Sequence, residues 1–377
     1  MEIRVDRLDG DPYLETVLRC FLNKGPLGRV ALLGLLALPG RSVAVEGAQP
    51  VGQPEVVRAR WLMGTVLELR LPAALRRTDE LAEAAFAEVA KVEAAASLWR
   101  PRTELGEVHA RAGAGEAVVL SETLGDLVQE ALRAAEMSSG AYSPAIGALV
   151  SAYDLRGDGR WPSGAERRRA AVLARREGVL YDPRTRMLCL DEGVSLDLDG
   201  IAKGFALDRA AAALRARGVD DALLNFGGQL YVIGPPPGTP AREALVASPF
   251  DPGTPVLTVR IRDASLSTSA NSERARMIAG KEAGHLLDPR TGSLVTLPGS
   301  VTVLAASGAL ADALSTAWAV EGPAGFRRSD PGSRLRRAGA VAFALAGREG
   351  GCETLSDRPF QRLRPPARVA DASVHRP

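Results

Sequence analysis

Four short segments carry side chains that could do chemistry. In Ala311-Asp312-Ala313-Leu314-Ser315-Thr316, a carboxylate and two hydroxyls stand at positions i, i+3 and i+4, which share one face of a helix. All-oxygen donors of this kind suit Mg2+, an ion that keeps part of its water shell and shares phosphate oxygens with a substrate. One carboxylate alone binds such an ion weakly, so a pyrophosphate would have to complete the shell. The same residues also make an ordinary acidic, hydroxyl-bearing helix start that needs no ion.

The segment His285-Leu286-Leu287-Asp288-Pro289-Arg290-Thr291-Gly292 is the natural place for a base, because the chain has only three histidines and this one stands close to an Asp and an Arg. A neutral imidazole takes a proton readily near pH 7. The Asp-Pro-Arg-Thr part is weaker evidence, since Asp182-Pro183-Arg184-Thr185 repeats it with no histidine before it. In Asp197-Leu198-Asp199-Gly200-Ile201-Ala202-Lys203-Gly204, two carboxylates and two glycines stand where a strand is expected to pass into a helix. Glycine there lets a ligand approach the backbone; Asp197 or Asp199 could accept hydrogen bonds from a base or ribose, and Lys203 could face a phosphate. A capped helix start with exposed charges is the plainer alternative. Asn225-Phe226-Gly227-Gly228 reads first as a tight turn between two strands.

The elements that must position these groups are legible in outline. Residues 66–71 alternate as a strand, and 78–95 form a helix with Leu81, Ala85, Val89 and Val92 on one face. A second helix covers 121–137, and 178–198 form a hairpin turning at Asp182-Pro183. A helix over 201–217 stops at Gly218. Strands are expected on both sides of Gly227-Gly228 and at 256–262, 300–306 and 338–346, with a helix over 309–320. Strands and helices mix without strict alternation, so an α+β fold is expected rather than a doubly wound one.

Residues 45–57, rich in Pro, Gly and Gln, read as a linker, with the globular part starting near Arg58. The organisation expected is an N-terminal extension over 1–50, one domain over 58–350, and a loose Arg- and Pro-rich tail over 356–377. The apolar run VALLGLLAL at 30–38, preceded by Lys24 and Arg29, is shorter than the roughly 20 residues a bilayer requires. It fits a secretory signal segment, which would put the protein on the periplasmic or cell-envelope side. The acidic stretch before Lys24 fits such a segment poorly.

With 47 basic and 45 acidic residues the net charge is +2, so nothing global asks for nucleic acid or an anionic membrane. Three dispersed cysteines without a CxxC pair favour neither zinc nor a disulfide framework.

The order of the segments is more specific than any one of them. Met63-Gly64-Thr65, Ser97-Leu98-Trp99-Arg100-Pro101, Gly140-Ala141-Tyr142-Ser143-Pro144, DLDGIAKGFALD from Asp197, Asn225-Phe226-Gly227-Gly228, HLLDPRTG from His285 and ADALST from Ala311 follow one another in a series that resembles the FAD:protein FMN transferases, the ApbE-like proteins. The resemblance runs from about 58 to about 350. It implies a single α+β domain of mixed sheets with packed helices that binds FAD with Mg2+ and cuts its pyrophosphate. FMN then passes through a phosphoester to a threonine or serine of an acceptor flavoprotein, a membrane redox subunit or a secreted flavin-bearing domain, and AMP leaves.

Carried over position by position, the resemblance assigns Met63, Trp99, Ala141, Tyr142, Ser143, Asp197, Lys203 and Leu287 to the flavin nucleotide. It assigns Asp312, Ser315 and Thr316, with a backbone carbonyl near Gly200, to the metal, and His285 to activation of the acceptor hydroxyl. Three departures stand out. Tyr142-Ser143-Pro144-Ala145 replaces a frequent Phe-Asp-Pro-Thr, Thr268-Ser269-Ala270-Asn271 replaces a frequent Thr-Ser-Gly-Asp, and the stretch from Asn271 to Gly284 is short. Two other activities stay open on these residues: hydrolysis of FAD to FMN and AMP, and flavin binding without catalysis.

Overall fold

The computed structural model describes residues 3–5 and 54–362, apart from 101, 113–114, 237, 252–253, 271–275, 279–280, 298, 329–339, 348–351 and 355–359. The apolar run at 30–38, Pro101, Asn271 and the tail beyond 362 lie outside the described residues.

In chain order the elements begin with strands β1 (Ile3–Val5), β2 (Glu55–Leu62) and β3 (Thr65–Pro72), then helices α1 (Thr78–Ala96) and α2 (Glu104–Ala112). Strand β4 (Val118–Val119) and helices α3 (Glu122–Met137), α4 (Gly147–Ala152) and α5 (Gly164–Leu173) follow, then the hairpin β5 (Val179–Asp182) and β6 (Met187–Leu190). Helix α6 (Ala202–Arg215) precedes strands β7 (Ala222–Phe226), β8 (Gln229–Ile233), β9 (Arg242–Ala247), β10 (Pro255–Ile261) and β11 (Ala264–Ala270). Short pairs β12 (Arg276–Ile278) with β13 (Lys281–Ala283) and β14 (Leu287–Asp288) with β15 (Ser293–Leu294) lead to β16 (Gly299–Ala305), helix α7 (Gly308–Arg328), and strands β17 (Ala340–Gly347), β18 (Cys352–Thr354) and β19 (Phe360–Arg362).

One large sheet, ordered β1-β2-β3-β7-β8-β11-β16-β17-β18, organises the molecule. Its pairs are antiparallel except β1 with β2. Its central strands are covered on both faces, and the period of two sorts their side chains. Ala222, Leu224 and Phe226 of β7, Tyr231 and Ile233 of β8, and Val301 and Val303 of β16 enter the main core, which they share with α1, α6 and α7. Leu223, Leu230, Val232, Leu266 and Leu304 point the other way, into a second core closed by Ala244, Val246, Leu257, Val259 and Ile261 of the small sheet β19-β10-β9. Helices on one face of an antiparallel sheet and a smaller sheet on the other make the fold α+β, as expected.

The structure differs from the expectation in several places. The linker reading over 45–57 runs too far, because β2 begins at Glu55 and pairs with β3 along its whole length. Glu55, Arg58 and Arg60 interrupt the apolar residues of β2 and most of the strand is only half-buried, so its pattern gave little contrast. Helices α2, α4 and α5 and strand β11 were not foreseen. Strand β11 is made of small polar residues, Ser265, Ser267, Thr268 and Ser269, whose hydroxyls are satisfied within the core rather than exposed. No strand runs into Asp197: the chain there is an irregular segment anchored by Asp197 N–H to the Pro144 carbonyl at 2.7 Å.

A very close backbone contact joins the first turns of α6 and α7. A Cβ on Gly204 would lie 2.0 Å from the Gly308 carbonyl oxygen, and one on Gly308 would lie 2.4 Å from that of Gly204. Asp208, one turn further along α6, caps α7 by accepting from Gly308 N–H at 2.6 Å, Ala309 N–H at 2.9 Å and the Ser307 hydroxyl at 2.9 Å. Burial pushes the Asp208 carboxyl up from its ordinary value, and these three donors pull it back. The three atoms that Gly204→Ala would push against, the Gly308 carbonyl oxygen and carbon and the Ala309 nitrogen, all belong to backbone, so none can yield. We expect that substitution to lower the unfolding free energy by about 4 kcal/mol or more. Gly106→Ala, whose new carbon meets only Thr103 Oγ1 at 3.4 Å, should cost less than about 1 kcal/mol. Urea denaturation of the two variants tests the contrast.

Candidate active site

The α6–α7 junction forms the floor of a cavity of about 640 Å³. Met63, Trp99, Ala141, Tyr142, Ser143, Asp197, Gly200, Lys203, His285, Leu287, Asp312 and Thr316 all line it. Of the residues expected at a site, only Ser315 stands outside.

Asp312 comes from the second turn of α7. One of its carboxylate oxygens accepts Gly204 N–H at 3.1 Å, which ties α7 to the start of α6. Thr316, one turn on, faces Gly200: its Oγ1 lies 3.8 Å from where a Gly200 Cβ would be, and Tyr142 Cε2 lies at 3.4 Å. A side chain at 200 would therefore crowd the space between them. Ser315 departs from the expectation that the three polar residues act together. It is fully buried, and its hydroxyl is bonded to Ser269 Oγ at 2.8 Å, Ser267 Oγ at 3.3 Å and the Asp312 carbonyl at 2.9 Å. Helical spacing put the three on one side of α7, but strand β11 covers the Ser315 edge of that side.

Tyr142 is buried in the cavity wall, and its hydroxyl has no hydrogen-bond partner among the described residues. Burial, followed by the negative charges of Asp197, Asp312 and Asp199, holds the phenol well above its ordinary value, so it stays a protonated donor. Its neighbour Ser143 does something else. The Ser143 hydroxyl donates to the Ala174 carbonyl at 2.6 Å and accepts Ala145 N–H at 3.2 Å, so it fastens the loop.

Asp197 is buried and accepts Asp199 N–H on one oxygen at 3.1 Å and the Arg156 guanidinium on the other at 2.6 Å. Burial and the adjacent Asp199 raise its carboxyl, and Arg156 opposes them. Trp99, 60% exposed, donates its indole N–H to Asp199 at 3.1 Å. Arg156 lies over the indole at 5.6 Å from the ring centre, within cation–π range.

Also lining the cleft, Met63 adopts φ 48° and Gly64 φ 74°, the conformations of a two-residue type I′ hairpin turn between β2 and β3. A positive φ is strained for Met. The buried Glu93 holds the turn by accepting Met63 N–H at 3.0 Å, and Arg100 pairs with the same carboxylate oxygen at 3.1 Å.

His285 is half-buried in the cavity wall. The tetrapeptide after it folds as its near copy does: Asp288 accepts Arg290 N–H at 2.9 Å, and Asp182 accepts Arg184 N–H at 3.0 Å. The motif is turn chemistry in both places, and what distinguishes the second copy is His285 with Leu287.

Sequence reasoning missed Glu93 and Arg156. Glu93 was hidden among the other glutamates of α1. Arg156 lies in Asp154-Leu155-Arg156-Gly157-Asp158-Gly159-Arg160, whose density of charge and glycine between two apolar stretches was the available signal. His109 was missed as well. Its Nε2 accepts Leu196 N–H at 3.0 Å and steadies the segment before Asp197.

A family model described as the ApbE family matches residues 63–329. The chain is 34% identical over 278 residues to an FAD:protein FMN transferase of Rhodobacter capsulatus, a match covering 71% of this chain and 52% of that protein. It thus spans about half the length of that relative. An FAD:protein FMN transferase of Treponema pallidum is 31% identical over 289 residues, 71% of this chain and 79% of that protein. The ApbE protein of Thermotoga maritima superimposes with a TM-score of 0.71 at 26% identity, covering 80% of this chain and 96% of that one. The Pseudomonas stutzeri flavinyl transferase ApbE, at 23% identity and TM-score 0.68, covers 82% of this chain and 97% of its own and has the same fold. The chain belongs to the ApbE family.

Two expectations follow from the geometry alone. Tyr142→Phe removes a buried, unpartnered hydroxyl, so the ligand-free protein should become more stable by about 1 kcal/mol. Chemical denaturation without nucleotide measures this, and a loss of stability would show that the hydroxyl is satisfied. The second concerns His109, whose ionisation burial and then the Arg156 charge hold below the usual value of 6.5. The unfolded chain therefore binds the proton more readily. His109 stabilises fully above about pH 6.5, and that stability falls as pH drops below it toward the folded value. A His109→Gln variant should show a shallower decline in stability between pH 7 and pH 5.

Proposed function

We propose that this chain is an FAD:protein FMN transferase that moves FMN onto a threonine or serine of an acceptor flavoprotein and releases AMP. The observation that supports this best is the convergence of a half-buried histidine, an acidic α7 turn and an aromatic, nucleotide-sized wall in one cleft.

Among the described residues no group of three or more His, Cys, Asp or Glu side chains gathers as a metal site. A divalent ion here must draw on hydroxyl, main-chain and phosphate oxygens. The residues present fit Mg2+ on those terms. Asp312, Thr316 and the Gly200 main chain meet across a space kept open by the absence of a Cβ, and the unpartnered Tyr142 hydroxyl stands in the same wall. Asp312 and Thr316 would hold the ion, with the Gly200 carbonyl, while Ser315 fixes Asp312 from behind. When bound, Mg2+ supplies charge neutralisation at the pyrophosphate oxygens.

The chain's own groups divide the remaining work. Trp99 and Met63 offer apolar surface to the dinucleotide. Lys203, in the first turn of α6, presents positive charge to its phosphates. His285 accepts the proton of the acceptor hydroxyl. The hydroxyl oxygen then bonds to the FMN phosphorus, the bond from that phosphorus to the bridging pyrophosphate oxygen breaks, and AMP leaves with the bridging oxygen and the electron pair. We also place the protein on the periplasmic or envelope side, on the strength of the apolar run at 30–38 after Lys24 and Arg29. The acceptor belongs there too, as a membrane redox subunit or a secreted flavin-bearing domain.

The test incubates purified protein with FAD, Mg2+ and a threonine-bearing acceptor domain, followed by in-gel flavin fluorescence. Wild-type protein should label the acceptor and release AMP in equal amounts. His285→Ala should lose at least about 100-fold in rate while still binding FAD, and Asp312→Ala should lose both rate and Mg2+ dependence. AMP release without labelling would make the protein an FAD hydrolase, and FAD binding with neither product would make it a flavin carrier.

A further inference from the structure

Beside the α7 turn and His285, the cleft holds a closed ring of contacts around Trp99, in which Arg156 has been given no part so far. Arg156 joins Asp197 at 2.6 Å and approaches Asp199 at 3.6 Å. Asp199 accepts the Trp99 indole N–H at 3.1 Å, and Trp99 returns to Arg156 through its ring face at 5.6 Å. All four side chains line the same cavity.

We propose that Arg156 is the residue that makes this wall of the cleft acceptable to a polyanionic dinucleotide: it neutralises the Asp197–Asp199 carboxylate pair and holds Trp99 as a fixed plate for one of the ligand's aromatic rings. The inference rests on the transferase reading for the identity of the dinucleotide. The argument begins with charge. Asp197, Asp199, Asp312 and Glu93 all line the cleft, while Lys203, Arg100 and Arg156 are the cations that line it with them. Arg100 is paired with Glu93 at 3.1 Å, and Lys203 stands in the first turn of α6. Without Arg156, two adjacent carboxylates would face the incoming phosphates with no cation bonded to them. Like charges repel in a partly desolvated site more than they do in water.

The second part of the argument is orientation. Trp99 is mostly exposed, and an exposed indole samples several rotamers. Here its edge is fixed by Asp199 and one face is covered by Arg156, so the other face is left for a ring to stack on. A guanidinium can meet the carboxylates through one nitrogen and lay its flat face on a ring at the same time, whereas an ammonium has no face to stack. Arg156 comes from the turn after α4, and both aspartates come from the irregular segment before α6. Their bridging adds a side-chain link near the cleft to two segments that backbone bonds, Asp197 N–H to Pro144 and Gly147 N–H to Ser195, already hold together.

The experiment measures FAD affinity by calorimetry and steady-state flavinylation for wild type, Arg156→Gln, Arg156→Lys and the double variant Arg156→Gln with Asp199→Asn. Arg156→Gln should weaken FAD binding and raise KM about 10- to 30-fold, with kcat at saturation changed less than threefold. Arg156→Lys should recover part of the affinity, because it restores charge without the planar face over Trp99. The double variant should bind FAD within about threefold of wild type, since removing one carboxylate relieves the repulsion that the missing cation leaves. A merely structural arginine would lower thermal stability, leave KM unmoved and gain nothing from Asp199→Asn. The inference is overturned if Arg156→Gln binds FAD within twofold of wild type, or if the double variant binds no better than the single one. Wild-type protein that binds FAD and labels the acceptor keeps the transferase reading even then. Wild-type protein that fails to bind FAD removes both.

Discussion

The site depends on how closely two helices can approach. Gly204 and Gly308 bring the first turns of α6 and α7 to backbone contact, a distance no side chain would permit. The approach lets Asp312 on α7 reach Gly204 N–H on α6, and Asp208 on α6 reach the amides at the start of α7. Each helix thus satisfies orphan donors of the other with a carboxylate. This reciprocal capping leaves Asp312 fixed in direction before any ligand arrives, the condition electrostatic preorganisation requires. The helix pair is held in turn by the main core, where Tyr231 and Ile233 of β8 and Val301 and Val303 of β16 pack beneath it.

Around that floor the cleft is built from irregular chain, and buried polar groups hold each piece. Glu93 restrains the left-handed Met63 turn, Ser143 fastens the loop after α3 to the Ala174 carbonyl, and His109 holds Leu196. Satisfied polar contacts of this kind fix conformation more than they add stability. They also explain how the walls can be loops while the cleft keeps its shape. Loops carry the ligand-facing groups, and rigid elements supply the buried partners.

The sequence made the floor legible and left the walls obscure, for a physical reason. Helix positions repeat, so Asp312 and Thr316 could be placed on one face from spacing alone. The same spacing misplaced Ser315, because helical periodicity names a face without saying what covers it. Here the cover is β11, whose serines and threonine carry no hydrophobic signature. Arg156, Glu93 and His109 owe their roles to contacts across 41, 30 and 87 positions of sequence, and no local pattern encodes such pairings. Long-range polar contacts are therefore the part of this site that structure alone supplies.

The departures from the family pattern read differently once they are placed. Ala270 sits in extended β11 opposite Ser300, with no positive φ, so alanine costs nothing there that glycine would save. Ala145 is fully buried behind the cleft wall and packs where a hydroxyl would have needed a partner. Ser143 turns its oxygen to the backbone, so a carboxylate frequent at that position has been exchanged for a loop fastener. The exchange removes one negative charge from a cleft that already holds four carboxylates. It comes with a tyrosine at 142, whose hydroxyl is a neutral donor directed at the same space. Substituting a donor for a charge beside a polyanionic ligand lowers repulsion while keeping a hydrogen bond on offer. The variation at 142 and 143 thus acts in the same direction as Arg156: each makes this wall less negative, by different chemistry.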